Sequence, residues 1–183
     1  MIVTYDDASG RAPVHVHLEE RMYSMVLDAV PLICVEIALF AARGLYLARR
    51  RVEPAAGCLW IMGGRIEKWE HLDAAATRVL ERESGLCIPS TKFIPVPGPP
   101  VRNFWPRRNQ PPQENGVDCL SFLFAYELDF EQAVFAANHL SPEDCSLEEG
   151  LSVYSWEDIA SGSFHTTVKD YAARVNSLLS HTR

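Results

Sequence analysis

The chain has 183 residues, 48% of them hydrophobic, enough to bury a core in one compact domain without disulfide or metal staples. Its 24 acidic residues against 17 Lys and Arg leave a net charge of -7, which argues against a general binder of phosphate backbones and hence against nucleic acid as a partner. Five cysteines, Cys34, Cys58, Cys87, Cys119 and Cys145, are odd in number and form no C-x-x-C pair, so they read as reduced small hydrophobes in a cytoplasmic protein rather than a disulfide framework or zinc site.

The acidic start MIVTYDDASGR lacks the basic-then-apolar layout of a secretory signal, and residues 1–17 are expected to form a flexible arm ahead of a single domain over 18–183. LEERMYSMVLDAV (18–30) places Met22, Met25, Val26 and Ala29 at helical spacing, and Pro31 ends that helix. LICVEIALF (32–40) is short and rich in branched residues, the pattern of a buried strand. GLYLARR (44–50) is its expected hairpin partner, and CLWIMGG (58–64) a third strand ending in two glycines. Asp28, Pro31, Glu36 and Arg43 interrupt the apolar stretch from 26 to 47, so no segment reaches membrane length and no membrane partner is expected.

HLDAAATRVLERES (71–84) contains neither proline nor glycine, is rich in helix formers and stops at Gly85, where a C-cap is expected. TKFIPVPG (91–98) and DCLSFLFAYEL (118–128) read as strands. PGPPVRNFWPRRNQPPQENGVD (97–118) is too proline-rich to join a sheet and is expected to be a long loop. LSVYSW (151–156) is a further strand, and the last helix, near 164–180, carries Val168, Tyr171, Ala172, Val175, Leu178 and Leu179 on one apolar stripe. Strands interleaved with helices, without steady βαβ alternation, predict an α/β fold with a mixed β-sheet sandwiched between α-helices.

From Gly64 the chain runs through five residues to Glu70, seven more to Arg78, then Leu80, Glu83, Gly85 and Leu86. This resembles the signature of the Nudix hydrolases, G-x5-E-x7-R-E-U-x-E-E-x-G-U with U apolar, and agrees at seven of nine fixed positions. Val79 and Arg82 stand where the signature has glutamates. GDP-mannose mannosyl hydrolases have a similarly reduced box behind a GGR, and VLDAVPLICVEIALF and GLYLARRRVEPAAGCLWIMGGR are similar to that branch's entry segment and hairpin. The resemblance covers roughly residues 18–160 and is tightest from 31 to 86.

It implies a Nudix-type mixed sheet between helices, a homodimer formed through the N-terminal region, and Mg2+-dependent hydrolysis of a nucleotide sugar such as GDP-mannose at the sugar C1–O bond. One Mg2+ or Mn2+ ion would be held by the Gly63 carbonyl and Glu83. In SLEEGLSVYSW, where the family has a ligand and a histidine base, Glu148 falls as the oxygen ligand and Glu149 as the base; His139 is a weaker candidate. Arg50, Arg65 and Arg78 would clamp the diphosphate, and Glu36 matches the acid on the first strand. One ion with several guanidiniums suits departure of a diphosphate from a sugar better than attack on phosphorus, which is helped by ions bridging the attacking and leaving oxygens.

The cluster VRNFWPRRN (101–109) reads as a lid, Phe104 or Trp105 stacking on a nucleobase while Arg107 and Arg108 meet phosphate, or as a plain surface loop. The alternative for Val79 is core packing in a chain without catalysis, for Glu148 and Glu149 solvated acids in a turn, and Arg82 reads either as an ordinary surface arginine or as a stand-in for a metal's positive charge. The alternatives to a nucleotide-sugar hydrolase are an ordinary pyrophosphohydrolase and a sensor that holds a nucleotide without cleaving it.

Overall fold

The computed structural model describes residues 11–180; residues 1–10, which hold most of the expected arm, and residues 181–183 lie outside the described residues. Residues just before the first helix run beside the glycine-turn loop: Val14 N–H donates to Lys68 O at 2.9 Å and His15 Nδ1 meets Glu67 Oε1 at 2.5 Å.

Strand β1 (Leu32–Ala41) is the centre of an eight-stranded mixed sheet. It pairs antiparallel with β2 (Gly44–Arg49) at its end, antiparallel with β4 (Met62–Arg65) along its first half, and parallel with β7 (Val117–Glu127) along almost its whole length. The short β3 (Leu59–Trp60) and β8 (Leu151–Ser155) border β2, while β5 (Ile94–Pro95) and β6 (Val101–Trp105) border β7. A strand covered on both faces needs an unbroken apolar run rather than alternation, which is why residues 34–40 of β1 are all buried.

Alternate residues of β1 feed two cores. Val35, Ile37 and Leu39 pack with Val79 and Leu80 of α2 (Leu72–Ser84) and with Ala136 of α3 (Phe130–Asn138). Ala38 and Phe40 pack on the other face with Ile159 of α4 (Trp156–Ser161) and Val168, Tyr171, Ala172 and Val175 of α5 (Thr166–Ser180). The sheet therefore lies between two helical layers, the predicted architecture. No helix among the described residues is long and apolar enough to cross a membrane.

One expectation needs correction, and two features go beyond what was expected. Residues 101–105 do join the sheet as β6, because the prolines flank them and every residue from Val101 to Trp105 has a partner on β7. Helix α1 (Glu20–Ala29) forms where expected, but it buries Ser24 and Leu27 and leaves Met22 and Met25 exposed. The helix predicted from this spacing therefore forms, with its apolar stripe on the exposed side. Helix α3 was missed, although Asp129 and Gln132 form a reciprocal capping box that is readable as D-x-x-Q in the sequence.

Candidate active site

Helix α2 places the signature residues. It ends at Gly85, whose φ of 70° lets its N–H turn back to Glu81 O at 2.8 Å, a conformation that a side chain would resist. On its inner face Val79 is fully buried in the core, so this departure from the signature is packing against the sheet. One turn on, Glu83 is 2% exposed and accepts from Gly63 N–H at 3.3 Å. Gly63 pairs with Glu36 across β1 and β4, so close that a methyl at position 63 would collide with the Glu36 carboxylate.

A cleft of about 400 Å³ opens here, on the sheet face that carries α5. Cys34 and Glu36 of β1 and Cys119 and Ser121 of β7 occupy the polar end of a face that becomes apolar toward Ala38, Phe40 and Leu123. The register of β1 on β7 sets Cys34 beside Ser121, which brings these groups together. Trp60 and Trp105 form an aromatic wall, ring centroids 5.3 Å apart and edge to face, with His165 against both. Arg50, Arg65, Arg82 and Arg108 all line the cleft, as do Glu143 and Asp144.

Glu36 accepts from Trp60 Nε1 at 3.2 Å; burial pushes its carboxyl up to about 8, with the Arg50 charge pulling down and Glu83 pushing up. Burial likewise pushes Glu83 up to about 7, Arg82 and Arg50 opposing and Asp144 reinforcing. Buried carboxyls raised toward neutrality beside guanidiniums mark this cleft as a candidate functional site.

The structure divides the expected residues. Glu36, Arg50, Gly63, Arg65, Trp105 and Arg108 converge on the cleft, with Glu83 directly behind Gly63. Arg50 donates to Pro54 O at 2.8 Å, and Arg65 lies over the Tyr23 ring at 4.9 Å. Arg78 does not line it: its guanidinium meets both oxygens of Glu70 at 2.7 Å and donates to Arg65 O at 2.9 Å, tying the loop behind the glycine turn to α2. Glu148 is exposed and away from the cleft lining, and Glu149 pairs with Arg49 at 2.5 Å.

Phe104 is 71% exposed, because strand alternation along β6 turns it outward and Trp105 inward. Arg107 faces Gln113 and Glu53, and Arg108, 1% exposed, is anchored to Asp28 at 2.7 Å with its Nη2 lacking a partner. Of the acids in this loop, Glu143 and Asp144 line the cleft rather than Glu148 and Glu149; Asp144 accepts from Ser141 Oγ at 3.0 Å, and its charge helps to raise the Glu83 carboxyl. Trp60, which also lines the cleft, was not among the expected residues.

A divalent ion at the Gly63 carbonyl and Glu83 would need both oxygens open. Arg82 Nη2 instead sits 2.6 Å from Glu83 Oε1 and 3.5 Å from Gly63 O, and the other Glu83 oxygen accepts from Gly63 N–H. Among the described residues, no group of three or more His, Cys, Asp or Glu is placed to hold a metal ion. The residues as arranged do not fit magnesium, which wants near-octahedral hard oxygen ligands.

No family model matches this chain. The NUDIX domain of Shewanella oneidensis NrtR complexed with ADP ribose is similar with a TM-score of 0.58 at 14% identity, over 88% of this chain and 99% of that one. Shewanella oneidensis NrtR complexed with a 27mer DNA is similar with a TM-score of 0.57 at 12% identity over 81% of this chain, which spans only 62% of that protein. The MutT protein from Methanosarcina mazei Go1 is similar with a TM-score of 0.50 at 17% identity, over 82% and 97% of the two chains. These likenesses show the fold: the mixed sheet between helices is a Nudix-like fold.

Proposed function

We propose that this chain binds a nucleoside diphosphate derivative in the cleft and hydrolyses it, the substrate class being a nucleotide sugar cut at the sugar C1–O bond. One observation carries the reading: four guanidiniums line a single cleft together with a near-neutral acid and an indole wall. Guanidiniums present forked donors that match phosphate oxygens, and an aromatic face accommodates a base or sugar ring. The ADP ribose held by the NrtR NUDIX domain is a ligand of that class in a fold of this kind.

In this reading Arg50, Arg65 and Arg82 draw charge from the departing diphosphate. The buried Glu83, titrating near 7, takes the proton of the attacking water, replacing the expected Glu149, which is tied to Arg49. Arg78 and Glu70 hold the glycine turn in place. No step is routed through magnesium. The exposed Met22 and Met25 of α1 fit the expected homodimer, and the acidic net charge keeps nucleic acid outside this reading.

A second reading, a protein that holds the nucleotide without cleaving it, is favoured by the engagement of both Glu83 oxygens. Incubating nucleoside diphosphate sugars with the protein in isotope-labelled water separates the readings. Label in the free sugar supports C1–O cleavage, label in phosphate supports the pyrophosphohydrolase alternative, and binding without turnover leaves the sensor. Glu83→Gln abolishes any turnover if Glu83 is the base.

A further inference from the structure

Arg82 is 48% exposed at its side chain, yet it is held at a specific place. Its Nη2 bridges the Glu83 carboxylate and the Gly63 carbonyl, and the guanidinium packs over the glycine turn: a methyl at Gly64 would approach Nη2 to 3.2 Å. The two oxygens it bridges come from strand β4 and the end of helix α2, and Asp144, which lines the same cleft, lies near enough to raise the Glu83 carboxyl. Without Arg82 this corner would keep the 2%-exposed Glu83, Asp144 and the Gly63 carbonyl, with the more distant charge of Arg50 as the remaining compensation.

We infer that Arg82 is the resident cation of this site, its guanidinium filling the position between Glu83 and Gly63 O and excluding a divalent ion from it. A guanidinium brings one positive charge and directional N–H donors where a divalent ion brings two charges and open coordination positions. Its hydrogen bonds among the described residues run through Nη2, so its remaining donors serve an anionic ligand entering the cleft that it lines. Binding of a diphosphate then needs no metal. This rests on the proposed site for a nucleoside diphosphate derivative only in naming that ligand; the cation's place is a separate question.

Titration with Mn2+ alone, followed by electron paramagnetic resonance, tests that place on the whole chain. Arg82→Ala is expected to take up one equivalent of Mn2+ at concentrations at which the wild-type protein binds none at this corner, a difference in affinity of about tenfold or more, as the removal of one adjacent like charge implies. The gained site disappears in the Arg82→Ala, Glu83→Gln double variant. One equivalent of Mn2+ on the wild type, lost in Glu83→Gln, overturns the inference, since the guanidinium would then swing aside. A folded Arg82→Ala protein that ignores Mn2+ overturns it equally, and the wild-type measurement stands alone if that variant fails to fold. In a separate arm, GDP is expected to bind the wild type with unchanged affinity in the presence of a chelator, and a fall in affinity on chelation counts against metal-free binding. Failure of GDP to bind at all under either condition strikes the proposed ligand class and leaves the Mn2+ result to decide the cation.

Discussion

Two acid–arginine pairs flank α2, and they behave in opposite ways. Toward its start, Arg78 meets both oxygens of Glu70 at 2.7 Å, and Glu67 N–H adds a third donor at 2.8 Å. Burial pushes the Glu70 carboxyl up, but these hydrogen bonds outweigh it and bring the group below the ordinary carboxylate range. At the other end, Arg82 reaches Glu83 through one nitrogen and burial wins, so Glu83 rises to about 7. The difference is one of geometry and solvent. A forked pair with a backbone donor fastens the loop to the helix, while a single contact over a glycine turn leaves a carboxyl that still exchanges protons and a cation that still faces the cleft.

Breaking the fastener has the largest expected effect. Arg78→Ala strands a Glu70 side chain that is 4% exposed, and is expected to cost about 3 kcal/mol in a urea unfolding curve, the low end for a buried pair because Arg78 is partly solvated. A loss under about 1 kcal/mol would erase the contrast with the cleft pair, because that is the range of an exposed pair. Gly63→Ala comes next. Its methyl meets the Glu36 carboxylate, so stability is expected to fall by about 2 kcal/mol, the scale of an overpacked site, with loss of ligand binding in calorimetry.

The pH dependence of stability sharpens the comparison on the cleft side. Glu36 and Glu83 hold their protons more tightly folded than unfolded, with folded values of about 8 and about 7 against an ordinary 4.5. Their contribution is complete below pH 4.5 and is lost as pH rises through those folded values. Glu36→Gln is expected to flatten the decline between pH 5 and 8, read as the melting temperature at each pH. A Glu36→Gln profile parallel to the wild type would mean the carboxyl is already ionised in the fold. Smallest is Arg82→Ala, whose half-exposed ion pair is expected to change stability by less than about 1 kcal/mol while raising the Glu83 titration further, measured by carboxyl carbon NMR.

The parts of this molecule that were legible beforehand rest on local patterns. The unbroken apolar run of β1, the turn into β2, and the proline-free stretch ending at Gly85 each carry their own signal within a dozen residues. Where the structure departs from that reading or goes beyond it, the deciding partner is far away in the chain. Residues 101–105 became a strand because β7 was there to pair with them, and proline content at the flanks said nothing about that. Met22 and Met25 lie on the exposed side of α1, because Ser24 is held to Pro111 O at 2.5 Å and Leu27 packs on Cys34, Val117 and Cys119. Asp144 rather than Glu148 or Glu149 lines the cleft because Arg51 N–H binds its carbonyl and Cys145 bridges to Arg50, which turns the loop inward ahead of the acids at 148 and 149.

By itself the sequence determined the helix, the glycine turn and the two positions where the acidic signature is broken, since spacing along a helix and turn chemistry depend only on neighbours in the chain. Tertiary structure alone decided what each arginine does. Arg78 and Arg82 are one helical turn apart and identical in chemistry, but one closes on Glu70 and the other on Glu83 and Gly63 O, because the loop and strand facing them bring different oxygens within reach.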